Sequence, residues 1–227
     1  MILSNYWLLF IAIGVIGMIV QMRLQSVFQK YSKVMFPGGL TGREVAEKML
    51  RDNGITDVKV VSTSGMLTDH YNPQTLTVNL SEGVYNSNSV SAAAVAAHEC
   101  GHALQHAAGY APLRLRSALV PVVQICSMFS TWVILLGILL INTFPQLFWI
   151  GIIMIAMSAL FSIVTLPVEF NASHRALAWL QSSGTLYGEQ VDMARTALSW
   201  AARTYLVAAL SAVATLIYYL GFARNRD

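Results

Sequence analysis

Charge is what this sequence has least of. Only 11% of its 227 residues are Asp, Glu, Lys or Arg, against roughly a quarter in an ordinary soluble domain. The deficit is also regional. Met1 to Met22 has no charged side chain, Ser117 to Val168 has none over 52 residues, and Thr204 to Ala223 has none over 20. A bilayer core about 30 Å thick takes about 20 helical residues per crossing. The outer stretches each fit one crossing, and the middle one fits two with a turn at Asn142-Thr143-Phe144-Pro145-Gln146. Four transmembrane helices are therefore expected, at about 2–22, 117–141, 147–167 and 204–222. The first lacks a basic beginning and a small-residue cleavage site, so it reads as a retained anchor rather than a signal peptide.

Other scarcities exclude further classes. Two cysteines, Cys100 and Cys126, cannot make a disulfide framework and agree with a reducing compartment. No cluster of basic residues interleaved with aromatics is present, which argues against nucleic acid as a partner. The spans hold Gln124, some Ser and Thr and few other polar groups, which ranks a transporter low. No repeat, low-complexity tract or long linker appears, so residues 1–227 read as a single membrane-embedded unit. Its non-spanning segments are 23–116 and 168–203. Segments 23–116 and 169–203 hold twelve of the fourteen Lys and Arg residues, which favours the cytoplasmic side of the cell membrane for both.

What the chain does have is His98-Glu99-Cys100-Gly101-His102. Two His four residues apart lie on one face of a helix and can hold a zinc ion together, and the Glu beside the first is poised to act as general base on a metal-activated water. An Ala-rich helix is expected from Asn88 to Ala108, with Ser87, Ser89 or Ser91 as cap and Gly109 and Pro112 as stop. Three of the five His residues, His98, His102 and His106, share its stripe. Upstream, Thr41 with Glu44 is a capping box for a short helix that Asn53-Gly54 closes. Val58-Lys59-Val60-Val61 and Leu76-Thr77-Val78-Asn79-Leu80 read as two strands, with His70 and Tyr71 in the loop between them. Such a sheet offers either an edge for pairing with an extended peptide or a hairpin that covers the motif helix. The fold expected is mainly helical and integral to the membrane, with a zincin-like cytoplasmic catalytic unit containing a small sheet.

Catalytic zinc usually takes three protein ligands. Two spans separate Arg116 from Glu169, so the chain returns to the same face there, and Glu169 is the first charge after the 52 uncharged residues. It is a candidate third ligand, for which zinc would offset the cost of burying a carboxylate at a membrane boundary. His106 is the rival, but it lies about 12 Å along the helix from His98 at about 1.5 Å per residue, too far to converge on one ion with both other His. His70, Tyr71, His174 and Arg175 are the available donors for charge developing on a substrate carbonyl, with His70 and Tyr71 ahead.

Thr41-Gly42, Leu67-Thr68-Asp69-His70-Tyr71, Leu80-Ser81-Glu82, the motif helix through His106, and Pro167-Val168-Glu169-Phe170-Asn171-Ala172-Ser173 together resemble the YugP-like zinc membrane peptidases over nearly the whole chain. The resemblance implies a membrane-embedded metalloprotease. His98, His102 and Glu169 would be its zinc ligands and Glu99 its base, acting on polypeptides, membrane proteins among them. Glu169-Phe170-Asn171-Ala172-Ser173 also looks like the Glu-aromatic-x-Ala-Asp element of the HtpX-type membrane proteases. Ser173 stands where that group has Asp, so the surroundings of the ligands must differ. His106, Ser173, His174 and Arg175 are the candidates for that environment or for substrate contact. A zinc-binding membrane scaffold without peptidase activity is the competing class, and it has no use for Glu99. Gly14, Gly17, Gly137 and Gly151 would permit close helix contacts, within the chain or in an oligomer.

Overall fold

The computed structural model describes residues 3–35 and 38–224. Met1, the start of the first expected span at residue 2, Phe36, Pro37 and residues 225–227 lie outside the described residues. The described chain has seven helices and three strands. In order they are α1 (Leu3–Tyr31), α2 (Gly42–Asp52), β1 (Lys59–Thr63), β2 (His70–Asn72), β3 (Thr77–Ser81), α3 (Glu82–Tyr85), α4 (Val90–Ala107), α5 (Ala111–Leu139), α6 (Pro145–Ser182) and α7 (Glu189–Arg224). Among the described residues four helices are long and apolar enough to cross a membrane: Trp7–Tyr31, Ala111–Leu139, Pro145–Ser182 and Glu189–Arg224. All four outrun the uncharged stretches, because each helix continues past the apolar segment into residues that carry charge. In α6 the continuation passes straight through Pro167.

The chain forms two compact units. The first comprises 1–19, 114–167 and 204–227. It keeps much of its apolar surface outward, including Trp7, Met128, Trp132 and Trp149, as lipid contact requires. Inside it α5 and α6 meet around buried Ile134, Phe148 and Ile152. A Cβ at Gly137 would stand 2.6 Å from Phe148 Cα, and one at Gly151 would stand 2.8 Å from Ile134 Cδ1. Both glycines therefore serve packing within the chain, whereas a Cβ at Gly14 would meet nothing within 4 Å.

The second unit comprises 20–113 and 168–203. Thr41 and Glu44 form the expected reciprocal cap of α2, which buries Val45, Ala46, Met49 and Leu50. These join Val78 and Leu80 of β3, Cys100 of α4, Leu180 of α6 and Leu198 of α7 in one core. The sheet has the order β1-β3-β2, with β1 parallel and β2 antiparallel to β3. Only two strands are expected from the sequence, and β2 falls in the region read as a loop. At three residues between Asp69 and Pro73 it is too short to display alternation. Its position comes from distant partners: the Asp69 carboxylate accepts from the backbone N–H of Ser81 at 2.7 Å and from its hydroxyl.

Helix α4 begins two residues later than expected. The side chain of Ser89 caps it at the Ala92 N–H. At the other end Tyr110 N–H reaches the Gln105 carbonyl and Gly109 N–H reaches that of His106, with Gly109 at φ 61°. That is a Schellman closure, which requires the left-handed residue that Gly supplies. The alanines of α4 are almost entirely buried, so its neighbours approach closely on several sides.

Candidate metal centre

Helix α4 carries His98 and His102 one turn apart, their rings edge to face with centroids 4.9 Å apart. Helix α6 carries Glu169, which is 2% exposed. Its Oε2 lies 3.3 Å from Nε2 of His98 and 3.7 Å from Nε2 of His102. These are the donor atoms of the one His/Cys/Asp/Glu group among the described residues able to hold a metal, and all lie within 4.8 Å of one another. Tetrahedral zinc with bonds of about 2.0–2.2 Å separates its ligand atoms by roughly 3.3–3.6 Å. The carboxylate oxygen stands close to that spacing from both imidazole nitrogens, and all three atoms are of the chemical type zinc takes.

The far side of each imidazole is also provided for. His98 Nδ1 is 3.1 Å from the Ser173 hydroxyl, and His102 Nδ1 is 3.0 Å from Gln105 Oε1. An Nδ1–H donated to oxygen leaves the Nε2 lone pair for a metal, the usual arrangement around a ligating His. The Ser173 hydroxyl is thus placed where a carboxylate stands at many such sites. Burial favours the neutral form of His102, but contact with the Glu169 carboxylate and the charge of Glu99 outweigh it and hold its pKa above the ordinary value.

Glu99 is 8% exposed and its Oε2 accepts from the backbone N–H of Tyr71 at 3.0 Å. Strand β2 therefore holds the carboxylate beside the first His. The Tyr71 phenol in turn meets His106 Nδ1 at 2.7 Å. Burial, with the charge of Asp57, raises the Tyr71 pKa, so the phenol keeps its proton. His106 stands at the exposed end of α4, outside the group of three, with its Nδ1 engaged by the Tyr71 phenol.

The remaining candidates are placed unevenly. His70 is exposed with Nδ1 at 2.8 Å from the Thr68 carbonyl, and His174 is exposed. Arg175 is half-buried and donates from Nε to Asn171 Oδ1 at 2.8 Å. Sequence reasoning passes over Gln105, which is fully buried and bonded to His102. The available signal is its spacing: three residues after His102 it shares that face of the helix.

The family described as "putative neutral zinc metallopeptidase" matches residues 6–224. The chain belongs to this family of zinc peptidases. Among curated proteins it is 41% identical over 222 residues to "Putative membrane protease YugP" of Bacillus subtilis (strain 168), covering 96% of this chain and 98% of that protein. No solved structure matches.

Proposed function

We propose that this protein is a membrane-embedded, zinc-dependent endopeptidase. Its ligands are His98, His102 and Glu169, and its general base is Glu99. One observation carries the reading: a ligand atom of each of two imidazoles and of a buried carboxylate lies within 4.8 Å of the others, beside a Glu that a strand holds in place. A structural zinc site would be closed by a fourth protein ligand, whereas three ligands leave a position for water or substrate.

Bound zinc would supply a Lewis acid for the scissile carbonyl and a water of lowered pKa. Glu99 takes the proton of the attacking water and returns it to the leaving amine nitrogen. The Tyr71 N–H keeps one carboxylate oxygen fixed, which leaves the other for the water. The Tyr71 phenol, still protonated and braced by His106, is the foremost donor to the carbonyl oxygen as it gains charge. His70, which is exposed, is the second candidate for that donor role, and His174, also exposed, is left for substrate contact. The outer edge of β2 is three residues long and its Tyr71 N–H is engaged by Glu99, so an extended peptide would find only a short edge there. Polypeptides at or in the membrane are the substrate class.

The distribution of Lys and Arg supports a cytoplasmic catalytic segment in the cell membrane. A phosphatase fusion that is active at the C-terminus and silent within 169–203 would agree with that orientation, and the reverse pattern would overturn it. For the activity, the full chain in detergent should bind one zinc. Glu99→Gln should keep the metal while peptide hydrolysis falls by about 10²–10⁴-fold, and Glu169→Ala should empty the site. Unchanged cleavage by Glu99→Gln would remove Glu99 as base. Zinc retained by Glu169→Ala but lost from His106→Ala would replace the third ligand. Full zinc occupancy with no cleavage of trapped candidate substrates would favour a metal-binding scaffold.

A further inference from the structure

Gln105 is fully buried, and every polar atom of its amide is used. Its Oε1 faces His102 Nδ1 at 3.0 Å. Its Nε2 donates to the Val168 carbonyl at 2.8 Å and to Asn171 Oδ1 at 3.0 Å. Asn171 Oδ1 also accepts from Arg175 Nε at 2.8 Å. Glu169 lies on α6 between the two acceptors that hold this amide.

The direction of the chain of bonds is set from both ends. A guanidinium can only donate, so the Asn171 atom facing Arg175 must be its oxygen. That oxygen also faces Gln105, so the Gln105 atom there must be its NH2. The Val168 carbonyl, which can only accept, makes the same demand independently. The carbonyl oxygen of Gln105 is thereby left for His102. A neutral imidazole carries its proton on one nitrogen, and Nδ1, 3.0 Å from the Gln105 oxygen, lies within hydrogen-bond distance of an acceptor whereas Nε2 stands 3.7 Å from Glu169 Oε2, so Nδ1 is the donor. His102 then holds its lone pair on Nε2, the nitrogen turned toward Glu169.

We infer that Gln105, oriented by Asn171 and Arg175, is a positioning device that fixes the tautomer of His102 and so prepares it as a ligand. The inference rests on the ligand set proposed above. Gln105, Asn171 and Arg175 touch neither substrate nor reacting atoms in this role. Their effect is on how readily the site takes up metal.

The test compares the full-length protein in detergent with Gln105→Met, Asn171→Leu and Asn171→Asp, each checked for its melting temperature. Zinc affinity is read by competition with a chromophoric chelator, and the His102 tautomer by ¹⁵N resonances of the metal-free protein at alkaline pH. Gln105→Met should weaken zinc binding by about 10–100-fold, the range found for groups that orient a ligating His, and Asn171→Leu, which leaves the Val168 carbonyl holding the amide, should weaken it measurably but less. Asn171→Asp retains an acceptor for both donors and should bind zinc close to the native protein, a rescue that a merely space-filling role does not require. The native His102 should carry its proton on Nδ1. A proton on Nε2, or native zinc affinity in Gln105→Met, would overturn the inference. If Gln105→Met does not fold, the Asn171 pair decides. Failure of the native protein to bind zinc would count against the ligand set, while the tautomer, read without metal, would still decide the role of Gln105.

Discussion

Gly101 stands so close to Ala172 that a Cβ on it would lie 2.5 Å from the Ala172 carbonyl oxygen. The pair marks where α4 and α6 touch, backbone against side-chain-free backbone. Gly101 immediately precedes His102, and Ala172 comes three residues after Glu169, one turn along the same helix. The approach that brings the carboxylate to the two imidazoles therefore depends on the absence of one methyl group.

Gly101→Ala should accordingly damage the centre without touching a ligand. In a free helix the change would gain about 1 kcal/mol of propensity. Here the new Cβ meets a backbone atom that no rotamer change can move, and overpacking of this kind costs about 1–3 kcal/mol. The net expectation is a lower melting temperature together with weaker zinc binding, because α6 must shift away from α4. A melting curve and a zinc titration on the same sample check it. A more stable variant with native affinity would show that the contact does not set the site.

Zinc uptake should depend on pH in a stated direction. The His102 pKa is raised from 6.5 in the metal-free fold. Its ion-pair contribution to the stability of that fold is fully present below 6.5 and is lost as the pH rises through the raised value. A proton on His102 also competes with metal. As the pH rises from 6.5 through the raised value, the metal-free protein should thus lose this contribution while zinc affinity climbs. The rise in melting temperature on adding zinc should be larger at the upper end. Differential scanning fluorimetry with and without excess zinc across that range is the measurement, and a zinc-induced shift that shrinks with pH would contradict it.

Cys100 lies within the motif but should be chemically silent. Its side chain is fully buried, its Sγ lies 3.6 Å from the Ala46 carbonyl, and burial with the charge of Glu99 pushes its pKa well up. The thiolate is the reactive form, so alkylating reagents added to the folded protein should leave Cys100 unmodified at neutral pH. Mass spectrometry after labelling in detergent and after denaturation checks this. Rapid modification of the folded protein would mean that the core around α4 opens far more readily than its packing implies.

How much of this is legible in the sequence depends on how local each signal is. Absence of charge over 20 residues is a one-dimensional property, so the four apolar helices can be read directly, although their charged extensions cannot. The pairing of His98 with His102 follows from helical spacing, and the capping box of Thr41 with Glu44 from a three-residue interval. The nearness of Glu169 is expected from the return of the chain after two spans and from the resemblance, since no spacing rule connects residues so far apart. Strand β2 escapes notice because Asp69 and Tyr71 are held by Ser81 and Glu99 from other parts of the chain. Gln105 escapes because its importance lies in bonds to Val168 and Asn171, and its place one turn after His102 does not by itself separate it from a solvated glutamine.

Tyr71 offers the sharpest separation of roles, because its backbone and its side chain do different things. The N–H holds Glu99 and survives any substitution except Pro, whereas the phenol meets His106. Tyr71→Phe should therefore leave the fold, the zinc affinity and the placement of Glu99 intact. If the phenol stabilises the charged carbonyl oxygen, the loss should appear in kcat, by about 10²–10³-fold for a donor of this kind, with KM little changed. Steady-state cleavage of a peptide substrate by zinc-loaded native and Tyr71→Phe proteins makes the measurement. A fall in zinc affinity would instead assign the phenol to holding α4 in place through His106, and an unchanged kcat would transfer the donor role to another group.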